Sequence, residues 1–475
     1  MTPAEPKDQP LAPTSTRFRV PTDPITRLRS RLGQISDLKD FSTDPYSAMD
    51  RLHDRNGPVS WVGTGPIRFA LLLGPEANEF VLGNTDLFSW SRAFEGLVPL
   101  AGPGALLVND GERHRRLRSL VQPAFTARAV HAHVATVRAH VDRVVDTWER
   151  ADVVEVSGAF RTALRRATIQ SLFGSRAVAD DAPLQARLQT VHEAIDTSSL
   201  VRRVQSLGLP SWKRALAARA HVQSWVAGEI ARYREAGGDP ERHVLGTLLR
   251  SRDADGAGLT EDELSDQLIS LLEAGAETTS SAFVWTLYEA LADRRVWEAL
   301  AEEVREHAPE GEELGAEHVE RMDLLDRVVR ETLRLHPATV VASRMTATPF
   351  RFGGHGFGPG SKIVFSPYHT HRLASVWTDP LRFDPGRWDP SGDGYRKPRP
   401  HEYLPFGGGP HRCVGAAFAT LAVKTAIAQV VRRADLWLAR KGAHPSGLIG
   451  MRPKEGLTVL VTGTHEANKD EEATV

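Results

Sequence analysis

The sequence predicts a mainly α fold with small β-sheets, organised as one large domain. Three observations carry this. Between residues 125 and 335 apolar residues recur at three- and four-residue spacing, and Ala, Leu, Arg and Glu dominate, the pattern of amphipathic helices. Strand-like composition is confined to short pieces at 59–63, 67–73, 346–352 and 363–366. No internal repeat and no Pro/Ser/Gly linker interrupts the chain, although 475 residues would accommodate about three ordinary domains.

The elements follow in order. Residues 1–24 hold six prolines and no apolar region of the signal-peptide kind, so they read as an extended leader ahead of a domain at 25–463 and a polar tail at 464–475. After the first two strands, GERHRRLRSLVQPAF (111–125) reads as a helix with His114, Leu117, Arg118 and Val121 on one face and Arg113, Arg115 and Arg116 elsewhere. A basic run invites a nucleic-acid reading. A histidine and an arginine that share a face with apolar residues argue against it.

Helical periodicity continues, with loops at 236–241 and 252–259, into TEDELSDQLISLLEAGAETTSSAFVWTLYEALA (260–292). Thr260 and Glu263 stand at capping-box spacing, and the helix would be roughly 50 Å long. Leu264, Leu268, Leu271, Gly275, Thr278 and Ala282 share a face. Glycine and threonine there are each unfavourable by a few tenths to about 1 kcal/mol relative to alanine. Either Gly275 marks a tight helix crossing and Thr278 bonds back to the carbonyl of residue 274, or the pair forms a site.

In DLLDRVVRETLRLHP, Glu331 falls on the apolar face of Leu324, Val328 and Leu335. An exposed pair with Arg334 would contribute only ~0.2–0.5 kcal/mol, whereas a buried carboxylate must be paired. GGHGFGPG, between the strands at 346–352 and 363–366, suggests a hairpin. An irregular Pro/Gly-rich stretch at 379–409 leads to a helix from Val414 to about Arg433 and a short strand.

The 59 Lys+Arg against 60 Asp+Glu give a net charge of −1, which offers no global case for nucleic acid or an anionic membrane. No apolar run approaches the ~20 residues that span a bilayer, so a cytoplasmic protein is expected. A single cysteine excludes an intramolecular disulfide, a CxxC redox pair, an iron–sulfur cluster and a covalently attached haem. Cys413, in FGGGPHRCVG (406–415), is either inert packing or the centre of the chemistry. The glycines let backbone approach a flat ligand closely. Unpaired N–H groups at a helix start favour a thiolate, which could act as nucleophile or metal ligand. As a hydrolase nucleophile it is poorly served: His411 is two residues away in a turn, and Ala419 stands where the C-x5-R spacing needs arginine.

FGGGPHRCVG resembles the cysteine-ligand loop of the cytochrome P-450 family, F-x-x-G-x-[HR]-x-C-x-G, with Phe406, Gly409, His411, Cys413 and Gly415 at the matching positions. The resemblance implies a P-450-type domain enclosing a b-type haem, Cys413 as the axial thiolate on iron, Phe406 beside the sulfur and His411 on a propionate. Electron donation from the thiolate favours O–O cleavage, so one cysteine suffices. AGAETT (274–279) looks like the oxygen-activation motif A-G-x-[DE]-T, which implies Ala274 and Gly275 over the haem face, Thr278 as hydrogen-bond donor to dioxygen and Glu277 as proton relay. E-T-L-R is similar to E-x-x-R; with Arg387 in FDPGRW it implies a structural Glu331–Arg334–Arg387 network that locks the cysteine loop. Gly386 departs from the charged or polar residue many members carry there. His114 and Arg118 look like propionate donors, and Arg344 in VASRMTA matches another.

The implied activity is a haem-thiolate monooxygenase. It would insert one atom of O2 into a small, largely apolar substrate such as a terpenoid, fatty acid or polyketide, using electrons from a separate ferredoxin and ferredoxin reductase. Arg113, Arg115 and Arg116 are candidates for docking that acidic donor. Substrate-facing candidates are 94–107, 197–212, Ala274, Thr278 and 339–341. A haem sensor or carrier without turnover, and a cysteine hydrolase, stay open as alternatives, with Glu277 and Thr278 favouring turnover.

Overall fold

The computed structural model describes residues 24–178, 182–197, 199–237, 243–309 and 311–465. The leader expected at 1–24 lies outside them except for Pro24, and so does the tail beyond His465. Thr464, expected in that tail, instead ends a strand.

The capping box opens the central helix, Glu261–Ala292: Thr260 Oγ1 accepts the Glu263 N–H at 3.2 Å, and the Thr260 N–H donates to Glu263 Oε2 at 3.1 Å. Glu261, Asp262 and Glu263 in its first turn face the positive end of the helix dipole. Its 32 residues, roughly 48 Å, carry it across the molecule. Helix Val156–Phe173 crosses it at mid-length, where a Cβ on Gly275 would stand 3.4 Å from Thr168 Cγ2. A larger side chain there would push the helices apart.

One apolar cluster joins five elements. Phe283 and Leu287 of the central helix meet Phe160 and Leu164 of the crossing helix, Val137 and Val141 of helix Val134–Val145, Val328 and Leu333 of helix Asp323–Leu335, and Ile427 and Val430 of the C-terminal helix Ala416–Arg433. The Phe160 and Phe283 rings stack at 4.2 Å. Burial of each such side chain stabilises by roughly 1.5–3 kcal/mol before entropy is counted.

Among the described residues the strands, numbered along the chain, form four small sheets. β1 (Val59–Val62), β2 (Phe69–Leu72), β8 (Lys362–Phe365), β5 (Ala342–Thr346) and β3 (Phe88–Ser89) lie side by side in that order. β4 (Val153–Glu155), β12 (Thr458–Thr464) and β9 (Ala434–Leu438) form a second sheet, and β10 (Pro445–Ser446) pairs with β11 (Arg452–Pro453). The glycine run departs from the expected hairpin. Gly353 and Gly354 take φ of 55° and 76°, the left-handed pair of a two-residue hairpin turn. They pair β6 (Phe350–Phe352) with β7 (His355–Phe357) inside the run, while β8 pairs antiparallel with β5 and parallel with β2. The loop at 252–259 is observed, and that at 236–241 lies largely outside the described residues. No helix among the described residues is long and apolar enough to cross a membrane.

Candidate active site

The cysteine loop follows a path that only glycine takes comfortably at two points, Gly407 (φ 67°) and Gly409 (φ 65°). Between them a Cβ on Gly408 would come within 2.9 Å of Leu82 Cδ1. The loop closes where the Cys413 N–H donates to the Phe406 carbonyl at 2.9 Å, which sets Phe406 alongside the cysteine. The C-terminal helix begins only at Ala416, so Cys413 precedes its first turn. Its N-cap, Gly415, supplies the backbone N–H that favours a Cys413 thiolate. Burial raises the thiol above its ordinary value and outweighs the Gly415 N–H, Arg412 and Arg118, which favour the thiolate. A coordinated metal ion deprotonates a thiol outright and would supply what the helix does not. Cys413 keeps accessible surface although protein surrounds it on most sides, which leaves it open to a ligand.

Beside the cysteine is a cationic cluster. Arg118 Nη1 donates to the Arg412 carbonyl at 2.7 Å, tying helix Gly111–Val121 to the loop. The buried His114 ring lies 3.9 Å from that of His411, which also stacks on Trp90 at 4.2 Å, and the Arg344 guanidinium sits 4.1 Å over Trp90. Burial pushes His114 down to about 4 and Arg344 down to about 9. Asp110 supplies the acid, 3.5 Å from His411 Nε2. Against the pull of burial, hydrogen bonds from His411, Ser91 and Ser89 hold its carboxyl well below the usual range. Arg344 donates to the Ser343 carbonyl at 2.8 Å and has no ion-pair contact among the described residues. Two guanidiniums against one carboxylate leave the cluster short of anions, and the two imidazoles, which burial pushes toward the neutral form, add N–H donors. It suits the carboxylates of a haem edge, which arginine binds in forked geometry. A Cβ on Gly415 would meet nothing within 4 Å, which leaves backbone room for a flat ring. These residues fit a haem.

On the central helix both structural reasons for the interrupted stripe are present. Gly275 accommodates the crossing helix, and Thr278 Oγ1 donates to the Ala274 carbonyl at 2.7 Å. Ala274 is nevertheless exposed and Thr278 half-buried at mid-helix, so both also stay open to a ligand. Glu277 is buried and paired with Arg165 of the crossing helix. A polar cavity of about 290 Å³, lined by Glu155, Arg161, Glu277, Ser280, Ser281 and Arg452 among others, opens beside it.

Glu331, Arg334 and Arg387 come together without solvent contact at the first two. Arg334 Nε and Nη2 donate to Glu331 Oε2 and Oε1 at 2.9 and 2.8 Å, and Arg387 Nε donates to Oε1 at 3.3 Å. Trp388 Nε1 adds a bond to Oε2 at 2.9 Å. Arg334 Nη1 also donates to the carbonyls of His371 and Pro380 at 2.6 and 2.7 Å. From there His371 reaches the cysteine loop: its Nδ1 lies 3.1 Å from the Arg334 carbonyl, and its Nε2 accepts the Leu404 N–H at 2.8 Å.

The candidate substrate segments are partly brought together. Leu97, Ala101 and Ala105 cluster with Ile195 of helix Ala182–Ile195, and Thr339 bridges to Ile449, next to a glycine whose Cβ would sit 3.7 Å from Glu277 Cβ. Trp212 is buried against Leu100 and Val191, whereas Leu207 and Leu209 are exposed. Arg116 is spoken for: it pairs with Asp253 at 2.7 Å and Glu263 at 3.1 Å, which removes it from the expected docking set. Arg165, His371, Asp110 and Trp90 carry no motif in the sequence; Asp110 alone has a signal, its place directly before a helix.

The fold and this arrangement bring an accessible cysteine and a cluster of guanidiniums and imidazoles together in one region of a mainly helical protein. The chain belongs to the cytochrome P450 family, whose model matches residues 25–458. It is 39% identical to cytochrome P450 139 of Mycobacterium tuberculosis over 418 residues, 87% of this chain and 97% of that protein. It is 30% identical to the cyclooctat-9-en-7-ol 5-monooxygenase of Streptomyces melanosporofaciens, covering 80% of this chain and 82% of that one. Among solved structures, retinoic acid-bound cyanobacterial CYP120A1 superposes with a TM-score of 0.80 at 25% identity, covering 90% of this chain and 96% of the other. The protein is accordingly a haem-thiolate monooxygenase that takes haem b, dioxygen, a small-molecule substrate and electrons from redox partners.

Proposed function

We propose that Cys413 would hold the haem iron through its thiolate and that the substrate is a largely apolar, carbocyclic terpenoid. The observation that carries this is the accessible Cys413 thiol inside the fold, in a loop continuous through Val414 with the apolar cluster of Leu271 and Leu272. The substrate class draws on the apolar candidate segments and on two relatives named for carbocycles, a sterol 14alpha-demethylase of Mycolicibacterium vanbaalenii, 28% identical over 85% of this chain, and the cyclooctatenol monooxygenase.

When bound, the haem supplies dioxygen activation, with thiolate donation favouring O–O cleavage. The chain's own residues do the rest. His114, Arg118, Arg344 and His411 hold the propionate carboxylates, and Asp110 orients the His411 ring. Thr278 Oγ1, already anchored to the Ala274 carbonyl, keeps its lone pairs free to accept a proton on the substrate side. Glu277 leaves Arg165, takes a proton at its carboxylate from water in the polar cavity and passes it to the Thr278 hydroxyl, which turns from the Ala274 carbonyl and releases its own proton on the substrate side.

Turnover with a ferredoxin and its reductase tests the relay. Glu277→Gln should slow product formation by roughly 10²-fold and enlarge the solvent isotope effect. Thr278→Ala should keep its haem spectrum but divert electrons to hydrogen peroxide. Full-rate, tightly coupled product formation by either variant contradicts the assignment.

A further inference from the structure

The central helix is closed off along nearly all of its inner length, with one break. Ser270, Leu271, Glu273, Ala274, Gly275 and Thr278 keep accessible surface, while residues 264–269 before them and 279–287 after them are buried. Gly275 packs on the crossing helix and Leu271 on the apolar cluster of Leu268 and Leu272; the surface that Ser270, Glu273, Ala274 and Thr278 keep at the middle of a helix that crosses the molecule is what the haem and substrate would meet. Ser270, Glu273, Ala274 and Thr278 fall within roughly 140° of helical arc.

Glu273 is the anomaly in that set. A carboxyl in apolar surroundings needs a partner, yet Glu273 Oε1 is buried with no hydrogen bond. Arg165, the guanidinium that acts on it, is committed to Glu277, Gln185 and Gln189. Burial raises the Glu273 carboxyl well above the usual range, which favours the protonated acid, a form with both an O–H donor and a carbonyl acceptor. Leaving such a group unpaired destabilises the fold; Oε1 itself is sealed, so a side-chain rotation that turns the acid toward the accessible side of the residue lets a ligand pair it and recover that loss.

We infer that Glu273 is a substrate-recognition group, hydrogen-bonding a hydroxyl oxygen on the otherwise apolar substrate. The inference rests on the monooxygenase reading and adds to it the polar handle of the substrate: an alcohol on a carbocyclic skeleton, not the bare hydrocarbon. Glu273 acts on where the substrate sits, and the reacting atoms are left to Glu277 and Thr278.

The test uses haem-loaded protein and, as probes, monoterpene, sesquiterpene and diterpene alcohols, each paired with its parent hydrocarbon. Binding is read from the low-to-high spin shift of the Soret band. The reduced, CO-bound spectrum of each preparation comes first: absence of the thiolate band in wild type overturns the monooxygenase reading itself, whereas its presence isolates the question of Glu273. Wild type should bind at least one alcohol roughly tenfold more tightly than its hydrocarbon, the size of one good neutral hydrogen bond. Glu273→Leu should bind the two equally, and Glu273→Gln should keep part of the preference. In wild type the infrared carbonyl stretch of the protonated Glu273 acid, identified by its loss in Glu273→Gln, should shift with the alcohol and not with the hydrocarbon. An undiminished preference in Glu273→Leu overturns the inference, as does no preference across the whole series in wild type. An unmoved infrared band with a bound alcohol overturns it even if the leucine variant fails to fold.

Discussion

A single imidazole links the two halves of the site. Because the Leu404 N–H can only donate, His371 Nε2 must accept, so its proton sits on Nδ1 and points at the Arg334 carbonyl. Both bonds require a neutral ring, and burial pushes His371 down to about 3. His114 and His133 are likewise buried and pushed down to about 4. The direction of the pH effect follows. The folded-state values lie below the ordinary 6.5, so as pH falls through 6.5 the unfolded chain takes up protons that the folded chain refuses. Stability is therefore fully present above about 6.5 and declines progressively down to about 4 for His114 and His133 and about 3 for His371. Urea midpoints measured across that window on the wild type and on His371→Asn should fall with acidity, less steeply in the variant. A flat profile, or identical slopes, contradicts the buried neutral imidazoles.

At the scale of elements, helix Asp323–Leu335 and the segment around Arg387 act as one unit through Glu331. Removing the charge of Glu331 strands the Arg334 guanidinium, which has no solvent contact. Glu331→Gln should cost roughly 3–5 kcal/mol by chemical denaturation, and most of the loss should appear as haem released from the cysteine loop. A change under about 1 kcal/mol, the range of an exposed pair, would show the network to be ornamental. This element also shows why part of the site was legible. A glutamate on the apolar face of a periodic helix, a lone cysteine among glycines, and a glycine with a threonine in a leucine stripe each conflict with their local pattern, and sequence displays such conflicts. The partners of those residues follow no pattern. Arg165 meets Glu277 across 112 positions, and His371 meets Leu404 across 33, so only the folded chain reveals them. The glycine-rich run failed as a guide for a related reason. Its composition announces a turn, but which strands it joins is set by sheet pairing at a distance, here β8 with β5 and β2.

At the scale of the whole molecule, the single large, mainly helical domain expected from the sequence is observed, with helices packed on one central rod. Electrons must reach that interior from outside. Arg113 and Arg115 stay exposed on the helix that carries His114 and Arg118, while Arg116 is engaged internally. We propose that this face receives an acidic ferredoxin. Charge reversal at Arg113 and Arg115 should weaken ferredoxin-supported turnover several-fold, more so at low salt, with absorption spectra unchanged; unaltered turnover would place docking elsewhere. The central claim, that Cys413 alone ligates the iron as thiolate, is tested most directly by the absorption spectrum of the reduced, CO-bound protein. The red-shifted Soret band of a thiolate-ligated haem should appear in the wild type and vanish in Cys413→Ser. A folded, haem-loaded wild type without that band, or a Cys413→Ser protein that retains it, would contradict the account.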